Sequence, residues 1–148
     1  MSDYNRIKDY INGVESCAYE LFGAHMRDDG VDFSVYAPGA ARVALCASHN
    51  DWQDVDMNRD EFGVWRVFIG NIGEGVHYKY KVFSADGQFT EKTDPFAYYN
   101  EVRPDFNSIV YDIDNYYWRD GEWMQSREKN YNNPLNVYEV HLGTWKVK

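Results

Sequence analysis

The sequence holds 148 residues, 44% of them hydrophobic and 18% aromatic, with 15 Lys and Arg against 24 Asp and Glu for a formal net charge of −9. That length suits one domain with a real core, and the hydrophobic share excludes a disordered tail. The negative field opposes nucleic acid as a partner, and no apolar run approaches the ~20 residues of a membrane-spanning helix.

The first residues, Met1-Ser2-Asp3-Tyr4-Asn5-Arg6, contain no apolar signal core. The spacing predicts a helix over 3–12. Ser2 can cap it, Asp3 suits its positive end, and Tyr4, Ile7 and Ile11 recur at intervals of three and four. Asn12-Gly13 supplies a stop. So short a helix is marginal alone, so it is expected to dock on the β-domain or on a region beyond this sequence.

From Tyr19 the period changes to two. After a turn at Asp28-Asp29-Gly30, Val31, Phe33 and Val35 alternate with Asp32, Ser34 and Tyr36. Pro38-Gly39 ends that strand, and Val43, Leu45 and Ala47 mark the next. A turn at Asp60-Glu61-Phe62-Gly63 precedes a strand in which Trp65, Val67 and Ile69 share a face. Gly70, Gly73 and Gly75 punctuate the following loop. In His77-Tyr78-Lys79-Tyr80-Lys81-Val82-Phe83 the pattern points Tyr78, Tyr80 and Val82 inward and Lys79 and Lys81 outward. Asp86-Gly87 reads as a hairpin link to Gln88-Phe89-Thr90. Ser108-Ile109-Val110-Tyr111 is the last strand expected before a polar linker. Short strands between turn signals, without a βαβ rhythm, predict an all-β sandwich.

Pro134 then closes the linker and an apolar run opens at Asn136 as a strand would. A strand needs a neighbour or a cover on its edge, so a strand this late reads as the first of a further domain. The expected organisation is a helical segment over 1–16, the sandwich over 17–116, a linker over 117–135 and that strand over 136–148.

Catalytic signals are sparse. The glycines at 70, 73 and 75 precede a strand, not a helix, so they do not form a phosphate loop. His25, His49, His77 and His141 are scattered, and Cys17 and Cys46 lack metal-type spacing. No cofactor is expected. The cysteines read as free thiols in a reducing compartment, with a bridge between them as the alternative. The aromatic content has two readings. Aromatic side chains suit pleated surfaces, and flat rings also pack on the apolar face of a pyranose. Trp52, in a polar loop after His49-Asn50-Asp51, is either a lid on the core edge or an exposed platform.

Val137-Tyr138-Glu139-Val140-His141-Leu142-Gly143-Thr144-Trp145 resembles the first barrel strand of glycogen branching enzymes, in the α-amylase superfamily. The upstream Tyr19-Glu20-Leu21-Phe22-Gly23-Ala24-His25, Tyr36-Ala37-Pro38, Asn50-Asp51-Trp52, Thr93-Asp94-Pro95-Phe96, Arg103-Pro104 and Ser108-Ile109-Val110-Tyr111-Asp112 are similar to a family 48 carbohydrate-binding module. The resemblance spans roughly 17–148. It implies an immunoglobulin-like sandwich of the early-set type and a cytoplasmic protein of glycogen biosynthesis. Its implied partners are α-glucan, glycogen or amylose-like, and the missing catalytic barrel. The family's reaction is a retaining double displacement that moves α-1,4 chains onto 6-hydroxyls. Its catalytic Asp and Glu residues match no position here, so this chain is not expected to branch glucan by itself.

For the binding face, the resemblance implies a sugar-stacking role for Trp52. Lys81 falls where the family has a hydroxyl-bonding Lys, though an edge-strand solubility charge is the plainer reading. Phe89 replaces a second stacking Trp, a departure that offers less surface and no N–H. Asn107 matches a polar sugar contact, and Arg103 departs from an apolar loop residue. Trp65 and Trp145 read as core or interface residues. The rivals are a debranching or trehalose-releasing enzyme with the same module, and a purely structural interaction domain.

Overall fold

The structure, a computed structural model, describes residues 3–128, 131–132 and 134–145. The chain divides into two units, Met1–Asn115 and Tyr116–Lys148. Helix α1 (Asp3–Ile11) is followed by a 3-10 turn at Ala18–Glu20 and ten strands. They are β1 (Gly23–Arg27), β2 (Gly30–Tyr36), β3 (Arg42–Ala47), β4 (Val55–Asp56), β5 (Asn58–Arg59), β6 (Val64–Gly70), β7 (His77–Phe83), β8 (Phe89–Lys92), β9 (Tyr99–Asn100) and β10 (Ser108–Ile109).

Two antiparallel sheets form. One has the order β1-β2-β6-β5, and the other β4-β3-β7-β10-β9 with β8 also paired to β7. Alternation sets the register. Val31, Phe33 and Val35 lie opposite Ile69, Val67 and Trp65 in the first sheet. Val43, Leu45 and Ala47 lie opposite Val82, Tyr80 and Tyr78 in the second. A slip of one residue would turn either row out of the core. These inner rows pack on each other, with Ala24, Met57 and Val110, as the main core. The Trp65 indole N–H donates to the Ala37 carbonyl at 3.0 Å, so its polar atom is satisfied where the ring is buried. This is the β-sandwich that the pattern predicts.

The turn at Asp60 is built by its side chain. Asp60 Oδ1 accepts from the Phe62 and Val64 N–H groups, each at 2.9 Å. Gly63 has φ +82, and a Cβ there would come within 2.5 Å of Pro38 Cα, so no other residue fits.

Asp94 is the one buried carboxylate among the described residues, 3% exposed. The Tyr78 and Tyr80 hydroxyls donate to its Oδ2 at 2.8 and 3.1 Å, and the Phe96 N–H donates to Oδ1 at 2.8 Å. Burial pushes this carboxyl above its usual range, against those hydrogen bonds. The Thr93-Asp94-Pro95-Phe96 stretch therefore ties the chain after β8 to two core tyrosines.

Several expectations need correction. The helix docks on the sandwich within the same unit, where Ile7, 3% exposed, joins Leu21, Phe22 and Val64 in a second core cluster, but its buried face is not the expected one. Its inward face carries Tyr10 beside Ile7, while Ile11 is largely exposed. The Tyr10 ring meets Phe22, Tyr36 and Phe96 at 4.7, 5.4 and 6.2 Å, an aromatic socket that Ile11 lacks. Capping by Ser2 lies outside the described residues. Lys81 is not on an edge strand, because β7 has β3 on one side and β8 and β10 on the other.

In the second unit the expected linker holds a helix, α2 (Gly121–Ser126). The strand expected from Asn136 does not form. Residues 136–141 have no regular structure, and a single helical turn, α3 (Leu142–Trp145), follows. The Thr144 N–H donates to the His141 carbonyl at 3.1 Å. No strand among the described residues pairs with this stretch, and backbone groups without a ladder take local partners. Trp65 is core, whereas Trp145 is exposed, edge-on to Tyr138 at 5.6 Å.

Candidate functional site

The outer face of the second sheet alternates cations and rings. After β3 the chain makes a 3-10 turn at Ser48–Asn50 and then places Asp51 and Trp52 at φ 56 and 63. Two successive non-glycine residues in the left-handed region cost on the order of 1 kcal/mol each, a strain that functional loops tolerate. The Trp52 N–H donates to the Ala47 carbonyl at 3.1 Å, and the Asn50 amide to the Gln53 carbonyl at 3.0 Å. The loop is thus pinned at both ends with the Trp52 ring outside, 37% exposed.

β7 supplies the cations. Lys79 and Lys81 are two residues apart and so share a face. Lys79 Nζ lies 5.3 Å from the Trp52 ring centre and 5.1 Å from that of Phe106, and bonds Glu91 at 2.7 Å. Lys81 Nζ lies 5.3 Å from the Phe89 ring centre and bonds Asp54 at 2.6 Å. Glu91 stands opposite Lys81 in the β7–β8 register, so the two lysine groups interlock through β8. Beyond them Arg42 lies over Phe83 at 4.4 Å, and Phe83 packs on Phe89 at 5.4 Å. Cation–ring contacts are worth about 0.5–1 kcal/mol at exposed sites, so the row is held in position more than it is stabilised.

Charges here are paired. The hydrogen bond to Asp54 raises Lys81 above the ordinary lysine range, and the same bond holds Asp54 below the carboxylate range. The Cys46 thiol beneath them, with Asp54 as its partner at 3.2 Å, is pushed up to about 11 by burial and by that carboxylate. It is an inert thiol.

At the far end, Glu101 Oε2 accepts from the Asn107 N–H at 3.0 Å and from the Asn107 side-chain amide at 2.7 Å, while its other oxygen meets His77. Burial raises the Glu101 carboxyl, but these hydrogen bonds outweigh it and hold the group below its usual range. They also set the loop that brings Phe106 to Lys79.

Of the residues singled out in the sequence, Trp52, Lys81 and Phe89 therefore stand along one face. Asn107 stands at its end with its amide turned to Glu101 and its Oδ1 buried without a partner. Lys79, Glu91 and Phe106 were not singled out. Period two already placed Lys79 beside Lys81, but no local pattern marks Phe106, which a loop delivers. Among the described residues no group of three or more His, Cys, Asp or Glu could hold a metal, and no helix is long and apolar enough to cross a membrane.

The sequence profile of carbohydrate-binding module 48 (isoamylase N-terminal domain) matches residues 21–97, just over half of the chain and all of the face from Trp52 to Glu91. The chain belongs to the carbohydrate-binding module 48 family. This module is 41% identical over 140 residues to the 1,4-alpha-glucan branching enzyme of Geobacillus stearothermophilus, covering 88% of this chain and 22% of that enzyme. It is 38% identical over 138 residues to the 1,4-alpha-glucan branching enzyme of Bacillus subtilis (strain 168), covering 87% and 22%. The module thus spans about a fifth of the length of these relatives and is similar to the N-terminal region of glycogen branching enzymes. A solved structure of pullulanase type I from Bacillus subtilis str. 168, complexed with maltose, superposes with a TM-score of 0.56 at 26% identity, over 66% of this chain and 14% of that one. The shared sandwich is immunoglobulin-like.

Proposed function

We propose that this chain holds α-glucan on the outer face of β7 and β8, as the N-terminal, non-catalytic module of a cytoplasmic 1,4-alpha-glucan branching enzyme of glycogen biosynthesis. The observation that carries the reading is the exposed Trp52 ring, strained into place beside Lys79 and in line with Lys81 and Phe89. A flat ring stacks on a sugar face, and the ammonium groups donate to hydroxyls. The paired charges suit a neutral ligand, because nothing there needs neutralising. Branching itself, transfer of an α-1,4 chain to a 6-hydroxyl, belongs to the remainder of such an enzyme. Native electrophoresis of this chain in gels with and without glycogen tests the reading. Retardation strongly weakened by Trp52→Ala, with the thermal transition kept, supports it. Absence of retardation refutes glucan holding.

A second reading, bracing of the catalytic barrel, is favoured by residues 116–145. Tyr117, Trp118, Trp123, Tyr131 and Val137 are all mostly exposed there. Isolated exposed apolar groups are ordinary, but so many large ones in so short a segment suit a covering surface. This unit would then stay bound to the barrel when the two are expressed as separate chains.

A further inference from the structure

The opposite face of the sandwich contains a polar hollow, of about 200 Å3, on the outer surface of β1, β2 and β6. Its lining includes Ser34, which the register places between Gly23 on β1 and Arg66 on β6. Ser34 is 5% exposed, and its hydroxyl oxygen has no hydrogen-bond partner. A buried hydroxyl without a partner costs about 1–3 kcal/mol, so it calls for an occupant that meets it.

Charge narrows the occupant. Three carboxylates, Asp3, Glu20 and Asp32, and two guanidinium groups, Arg27 and Arg66, line the hollow. Each guanidinium already carries a carboxylate: Arg27 bonds Asp32 at 2.7 Å and Arg66 bonds Asp60 at 2.8 Å. An anion would meet more carboxylate than free cation. A cation at Glu20 or Asp32 would displace ion pairs already formed, with Arg6 and Arg27, and the carboxylates do not converge as metal ligands do. What remains is a neutral ligand rich in hydroxyls, each able to donate to a carboxylate and accept from a guanidinium or from Ser34. The volume is below the ~300 Å3 at which drug-sized pockets begin, which limits the occupant to about one ring.

We infer that this hollow is a second binding site, for a single pyranose unit, free or at a chain end. It is independent of the Trp52 face, since none of the residues of that face line it. The site gives one module two attachment points on opposite faces of the sandwich.

Maltose titrated into the nitrogen-15-labelled chain, with amide shifts read residue by residue, tests the inference. Saturable shifts at Asp32, Ser34 and Arg66 are expected, and they persist in Trp52→Ala. Ser34→Ala raises their midpoint about fivefold, the effect of one lost hydrogen bond, and Arg66→Gln raises it as well. Shifts confined to β7 and β8 and abolished by Trp52→Ala would leave the first site standing and overturn the second. Movement of the Ser34 and Arg66 amides by inorganic phosphate at lower concentration than maltose would make this an anion site instead. No shift with either probe would make it a solvent-filled hollow.

Discussion

The two outer faces of the sandwich carry similar residues to opposite ends. On the first sheet Tyr36 and Val64 face outward, and α1 covers them with Tyr10 and Ile7. Rings there meet rings, and the part of the surface under α1 is closed. On the second sheet Trp52, Phe89 and Phe106 meet lysines instead, and nothing in their unit covers them. Aromatic content alone therefore says little about binding. What separates a core ring from a platform is whether its neighbour removes it from water or only fixes its position.

The sharpest way to break the contrast is Ile7→Ala. Removing a side chain this buried costs about 3 kcal/mol. Urea unfolding should show that loss while glycogen retention, measured well below the transition, stays unchanged. If retention fell with stability intact, the surface under α1 would be part of the site that holds glycogen.

Asp94→Asn should cost about 2 kcal/mol near neutral pH, since both carboxylate oxygens accept hydrogen bonds and an amide offers only one acceptor oxygen. Its pH dependence has a definite sign. Burial raises the folded-state pKa of Asp94 above the ordinary aspartate value. Its protonated form is therefore favoured in the folded state, and that contribution, fully present below about pH 3.8, is lost as pH rises through the folded value. Thermal scans of both proteins from pH 3 to 7 should show the variant's deficit shrinking over that window. A deficit that grew instead would mean that the hydrogen bonds to Asp94 outweigh its burial.

Trp52→Ala acts on the other face. Glycogen affinity should fall about tenfold, from the loss of a stacking surface, with a change in the unfolding midpoint too small to matter at assay temperature. A cooperative transition lost in this variant would place Trp52 in the core. The smallest effect is expected for Lys79→Met, about two- to fivefold in affinity, because the cation–ring contact is worth little at an exposed site. If Lys79→Met matched Trp52→Ala, the ammonium would be a direct sugar contact, not a spacer between two rings.

Much of this was legible in the chain alone, for physical reasons. Period two along Val31–Val35, Val64–Ile69 and His77–Phe83 specifies which side chains face the core, because a strand has two faces. Asp60-Glu61-Phe62-Gly63 declares its turn through a carboxylate that binds the backbone two and four residues on and a glycine at positive φ. Alternation also turns Lys79 and Lys81 outward, whereas the pattern leaves Trp52 open between lid and platform, and Phe89 comes only from the resemblance. Partners across the sequence could not be picked out. Lys81 reaches Asp54, Lys79 reaches Phe106, Asn107 turns to Glu101, and Tyr10 rather than Ile11 finds the aromatic socket, each across a separation that no local pattern spans. The hollow at Ser34 is the strongest case. By alternation Ser34 is an ordinary outward polar residue, and only the folded chain, which brings Asp3 of α1 and Glu20 to the same hollow, shows its hydroxyl buried without a partner. The terminal stretch shows the converse. Residues 137–142 have the composition of a strand, yet a strand is a property of two chains of hydrogen bonds, and with no paired neighbour among the described residues, residues 136–141 take no regular structure.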